Sequence, residues 1–175
     1  MAVRTRSVAK RRAVVRRKRE SPVAADPRHD DEIERGLELH DARKYGAALK
    51  RFERAHALAP LCPLADYNRA NTLHMLDRHD EAAGLLKKLI ATPTATLEAR
   101  CDGTPARSLQ VDAYYLLYLT SLWGHGFSEK AFKYAAQHVR CRRPGVASIW
   151  TLDEVRADVA EMRAQWKQAR AGDKR

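Results

Sequence analysis

Shifting this sequence by 34 residues lays one segment onto the next, and that internal register limits the possible folds more than any other feature. Gly36 falls on Ala70, Leu39 on Leu73, His40 on His74, Ala48 on Ala82, Phe52 on Leu86 and Ala55 on Leu89. Arg35 falls on Arg69, and Pro60 falls on Thr94 with Pro93 beside it. Small residues meet small ones and large residues meet large ones. Each copy is therefore expected to be one supersecondary unit that buries its apolar face against the next copy.

Within a copy the period is helical. Ile33, Gly36, Leu37 and Leu39 form one apolar run after the acidic start Asp30-Asp31-Glu32, which suits the positive end of a helix dipole. Ala48, Leu49, Phe52, Ala55 and Leu58 form a second run that ends at Pro60, with a tight turn near Lys44-Tyr45-Gly46 between the two. The spacing predicts an antiparallel helix hairpin. Gly36/Ala70 and Ala48/Ala82 would let paired helices approach closely, while Leu39/Leu73 and Phe52/Leu86 would fill the space beside them.

A degenerate third copy follows. Placing Ala131 on Ala82 puts Leu119 on Ala70 and Leu122 on Leu73, with Gly126 at the turn and Pro144 past the end. A Thr-, Pro- and Gly-rich insertion, TLEARCDGTPARSLQ, precedes it. After the break at Arg142-Arg143-Pro144-Gly145, Thr151 to Glu154 reads as a capping box, with Trp150 and Val155 placed as a hydrophobic staple. Val155, Val159, Met162, Trp166 and Ala169 then make the apolar stripe of a terminal helix that closes the stack.

The pattern at Gly36, Leu39, Ala48, Phe52, Ala55 and Pro60, with a second copy from Tyr67 to Leu89, resembles the tetratricopeptide repeat family. The resemblance covers about 140 residues, from Asp30 to Ala169. It implies an all-α superhelix of about three helix hairpins with a C-terminal capping helix. The expected boundaries are 1–28 for an arm and linker and 29–170 for the repeat domain. Its hairpins would span about 29–62, 63–96 and 112–145, and its capping helix 151–170. The family binds peptides along its first helices, which implies a protein interaction module, an adaptor or scaffold, with a groove at matching positions. Those positions are Ile33, Tyr67 and Leu116, then Leu37, Asn71 and Thr120, then His40, His74 and Trp123, with Met75 alongside. Some members clamp a terminal carboxylate. Asn68 and Asn71 suit that use, but Ile33 and Leu37 stand where a basic residue and an Asn belong, so an apolar peptide is the better expectation.

Charge separates the chain into two parts. Residues 1–20 hold nine basic side chains against the single acid Glu20, and so carry +8 of the chain's +11. Lys10, Arg11, Arg12, Arg16, Arg17, Lys18 and Arg19 flank Ala13-Val14-Val15 with no aromatic residue, so phosphates could be attracted but bases could not be stacked. The arm could contact nucleic acid or an acidic protein without sequence preference, serve as a nuclear or mitochondrial address, or only solubilise. If it were the principal binding element, the chain would be a nucleic-acid-associated protein and the repeats would only assemble it with others. SPVAADPR, with two prolines, reads as the linker behind the arm.

Chemistry-bearing motifs are sparse. Cys62, Cys101 and Cys141 are far apart and in no CxxC arrangement, which suits idle thiols in a reducing compartment. Among the histidines, His40 and His74 sit in neighbouring copies, on the order of 10 Å apart at ordinary helix spacing. That is too wide to share a zinc with bonds of about 2 Å. His56 and His79 add no ligand spacing, and no metal or cofactor is expected. GxSxG, HExxH and glycine-rich phosphate loops are missing, so no enzyme is expected. No apolar run approaches the roughly 20 residues of a membrane span. Without an apolar leader of about 7–15 residues, a cytoplasmic protein is the expectation.

Overall fold

In a computed structural model, residues 26–60, 62–98 and 106–172 are described. They form helices and turns with no strand among them. The helices are α1 (Pro27–Asp41), α2 (Tyr45–Leu58), α3 (Pro63–Met75), α4 (His79–Ala91), α5 (Thr94–Glu98), α6 (Ala106–His125), α7 (Glu129–Cys141) and α8 (Leu152–Gly172). Helices α1/α2, α3/α4 and α6/α7 pack as hairpins. Each first helix also lies on the second helix of the hairpin before it, α3 on α2 and α6 on α4, and α8 packs on α7. The chain is thus an all-α superhelix of three helix hairpins closed by a C-terminal helix.

The repeat extends into backbone geometry. Arg43 and Asp77, one period apart, both take left-handed conformations (φ 59° and 58°), and Gly126 at the third turn has φ 75°. The turn bonds repeat as well. The Lys44 amide donates to the Leu39 carbonyl at 2.8 Å and the Arg78 amide to the Leu73 carbonyl at 2.9 Å, while Ala48 donates to Lys44 and Ala82 to Arg78. A left-handed residue followed by a bond back to the last turn reverses the chain within three residues, which is why the hairpins close tightly.

Packing follows the small-against-large rule. A methyl group on Gly36 would lie 2.5 Å from Cε1 and 2.8 Å from Cδ1 of Phe52, so the phenyl ring occupies the space that a side chain would need. Ala48 and Ala131 are buried in one core with Phe52, Leu86 and Leu116, and Ala82 in a smaller cluster with Leu49 and Leu73. Near 25 cal/mol per Å² of apolar surface, such burial is what orders the stack.

Three boundaries differ from the sequence expectation. Helix α1 begins at Pro27, inside the expected linker, because Asp26 caps it by accepting from the Arg28 amide at 2.9 Å and Pro27 needs no donor partner at the first position. The insertion contains a short helix, α5, pinned by buried Leu97. Helix α6 starts at Ala106 rather than near 112, because Ala106, Leu109 and Ala113 continue its apolar face backward. The capping box is present: the Thr151 amide donates to Glu154 Oε2 at 2.9 Å and the Glu154 amide to Thr151 Oγ1 at 3.2 Å. Trp150, Val155 and Met162 are buried, Val159 and Trp166 half-buried, and Ala169 is exposed.

Candidate functional site

The positions expected to line an open groove sit differently. Ile33, Tyr67 and Leu116 are core residues, at 7%, 1% and 1% exposure. In the second column Leu37 and Asn71 are half-buried and Thr120 is fully buried. In the third, His40 and His74 are buried while Trp123 is 46% exposed, and Met75 is half-buried. The reason is stacking. Each first helix turns this face toward its neighbour, so most of it becomes an interface between hairpins.

The polar members of that face bond diagonally. Asn71 Nδ2 donates to His40 Nε2 at 3.3 Å, and Thr120 Oγ1 lies 3.3 Å from His74 Nδ1. The third column of one hairpin is therefore tied to the second column of the next, twice in succession. Both histidines are held neutral by burial, which pushes His40 down and, with His79 nearby, His74 down to about 4. A neutral imidazole can accept the Asn71 proton, as an imidazolium could not.

Trp123 ends this series. It is the only large apolar side chain that is exposed among the described residues. Helix α8 docks elsewhere: the Tyr115 hydroxyl donates to Asp158 Oδ2 at 2.6 Å, and the Trp166 ring lies 5.4 Å from that of Phe132. Next to Trp123, Gly124 permits a close crossing, since a methyl group there would lie 2.7 Å from His79 Cβ. The last turn of α6 is further tied to α4 by His125 Nε2, 3.1 Å from Asp80 Oδ1. Trp123 thus stands on a braced helix end, and Leu37, Asn71 and Met75 supply the remaining accessible surface of the columns.

Asn68, considered for a carboxylate clamp, is 1% exposed and offers nothing to a ligand. The arm residues Lys10, Arg11, Arg12, Arg16, Arg17, Lys18 and Arg19 lie outside the described residues.

Two further constellations were not legible from local motifs. Asp112, 1% exposed on α6, accepts from the Ser148 hydroxyl and, at 3.3 Å, from the Ile149 amide. Arg142 donates to the Trp150 carbonyl at 2.9 Å. A buried carboxylate therefore anchors the α7–α8 connection, and burial pushes it up to about 7. A lone acid in the apolar run of α6 was the signal for it. His29 is raised by its contact with the Cys62 thiol, and its Nδ1 lies 3.1 Å from Asp30. Both Cys62 and His29 are buried, so the pair presents no open nucleophile. Among the described residues no group of three or more His, Cys, Asp or Glu is placed to hold a metal ion. No described helix is long and apolar enough to cross a membrane.

No protein-family model, curated protein or solved structure matches the chain.

Proposed function

We propose that this chain is a protein interaction module of the tetratricopeptide type, docking an apolar segment of another protein around Trp123 with Leu37, Asn71 and Met75 beside it. The observation that supports this most is the exposed indole at the end of a column whose other members, His40 and His74, each engage the next hairpin. A partner segment would take at Trp123 the place that the following hairpin takes at His40 and His74. Indole is also the side chain most enriched among residues that dominate binding energy. The unpaired thiols of Cys62 and Cys141 suit a reducing compartment such as the cytoplasm.

The arm would tether the complex to an acidic surface. Its +8 in residues 1–20 also supports a second reading, in which the arm is the principal element and its target is nucleic acid. Co-purification with three full-length proteins separates the readings. They are the parent, Trp123→Ala, and a protein with Lys10, Arg11, Arg12, Arg16, Arg17, Lys18 and Arg19 changed to Gln. Loss of the main partner with Trp123→Ala alone supports docking at the helix end. Loss only with the neutralised arm supports the second reading, and affinity for random nucleic acid should then fall with salt at a log–log slope of about −0.7 to −0.9 per phosphate.

A further inference from the structure

Away from the docking face, a cleft of about 650 Å³ lies where the end of α4, the first turns of α6 and the last turn of α7 meet. Its volume falls in the range of about 300–1,000 Å³ usual for small-molecule sites. Arg107, Arg140 and Arg143 line it, and no described lining residue is acidic. Five arginines elsewhere have carboxylate partners, Arg28 with Asp26, Arg51 with Glu32, Arg69 with Asp66, Arg78 with Glu81 and Arg156 with Asp153, while Arg163 and Arg170 lie over the Phe132 and Trp166 rings. The three cleft arginines have no such partner among the described residues.

The cleft is also built rather than accidental in its walls. Gln110 donates to the Thr92 carbonyl at 2.6 Å and accepts from the Thr94 hydroxyl at 2.8 Å, which fixes the α4–α5 corner against α6. Gln137 Nε2 donates to Cys141 Sγ at 3.3 Å, which orients the α7 side. The half-buried Tyr114 adds an aromatic wall. Arg107 stands in the first turn of α6, where the helix dipole also favours negative charge. Three exposed arginines thus line one concavity that no described acidic residue lines, an arrangement that favours a bound anion. Their planar forks match phosphate and carboxylate oxygens.

We infer that this cleft binds a small multivalent oxyanion, a phosphate ester or a polycarboxylate, through Arg107, Arg140 and Arg143. The inference is independent of partner docking at Trp123.

Cys141 lines the same cleft and reports on it. The full-length protein is alkylated with iodoacetamide at constant ionic strength, with pyrophosphate, citrate or chloride added, and each cysteine is followed separately by mass spectrometry. Pyrophosphate or citrate should slow the labelling of Cys141 where chloride does not, and the anion effective at lower concentration identifies the phosphate or the carboxylate class. Arg107→Gln, Arg140→Gln and Arg143→Gln should each raise the half-protecting concentration about tenfold, the worth of one charge-assisted hydrogen bond. Arg140→Lys, which keeps the charge and loses the fork, should fall between Arg140→Gln and the parent. Arg54→Gln, in a separate cleft beside Asp31 and Glu32, should leave it unchanged. Equal protection in the three Arg→Gln variants, loss of protection on neutralising residues 10–19, or no protection at millimolar anion would each overturn the inference.

Discussion

Gly36 and Phe52 offer the sharpest test of why the hairpins pack as they do. Phe52 is fully buried, so its ring has nowhere to go when a methyl group is placed 2.5 Å from its Cε1. Overpacking of this kind costs about 1–3 kcal/mol, while replacing a helical glycine by alanine contributes about 1 kcal/mol in the other direction. Gly36→Ala should therefore destabilise by up to roughly 2 kcal/mol, against the sign that helix propensity alone would give. One period later the equivalent residues are Ala70 and Leu86, both fully buried, a larger small residue with a smaller large one. Transplanting that pair should repair the first hairpin. Phe52→Leu alone should cost roughly 1–2 kcal/mol as a partly filled cavity, and Gly36→Ala/Phe52→Leu should be more stable than the sum of the single changes by about 1–2 kcal/mol. Urea unfolding of the four proteins measures each term. A Gly36→Ala protein more stable than the parent, with an additive double variant, would refute the interlocked pair.

His74 should make the fold acid-sensitive. Its folded value near 4 lies below the unfolded value of about 6.5, so its stabilisation is complete above pH 6.5 and is lost toward pH 4, by roughly 3 kcal/mol in all. His74→Gln should flatten that stretch of the pH–stability curve, and an unchanged slope would count against a neutral buried imidazole. Asp112 acts with the opposite sign: raised to about 7, it favours the folded state when protonated and opposes it increasingly as pH rises from about 4 to 7, so Asp112→Asn should remove that component. Asp112→Ala should leave the Ser148 hydroxyl and the Ile149 amide without their acceptor, cost about 2–3 kcal/mol and speed amide exchange in α8 before the hairpins; uniform exchange would argue against the anchor. Arg43→Gly should relieve a left-handed side-chain penalty and raise stability by up to about 1 kcal/mol in thermal unfolding.

Much of the fold could be read from spacing. The 34-residue register placed the close-packed Gly36, Ala48 and Ala82, and the local Thr-x-x-Glu spacing placed the Thr151–Glu154 capping box, because these depend on residue size and on local geometry. The left-handed turn residues Arg43 and Asp77 were not legible, since neither is glycine and their conformation is imposed by the packing of the hairpin. The groove was only partly legible for a related reason. Helical period says which residues share a face, but not what covers it, and here packing against neighbouring elements buries Ile33, Tyr67, Leu116, His40, His74 and Thr120. The diagonal bonds from His40 to Asn71 and from His74 to Thr120 join residues in different columns, so comparing equivalent positions could not find them. The arginine cleft brings together positions 107, 140 and 143 through the crossing of three helices, for which the sequence holds no local signature.

Selection of a random peptide library on the full-length protein tests the proposed docking role most directly. Enriched peptides should share an apolar or aromatic anchor and bind Trp123→Ala about 30-fold more weakly, the loss of roughly 2 kcal/mol expected of a dominant indole contact. They should bind the protein with a neutralised arm as well as the parent. Selection yielding only acidic peptides, held equally by Trp123→Ala and released when the arm is neutralised, would contradict docking at the helix end and leave the arm as the binding element.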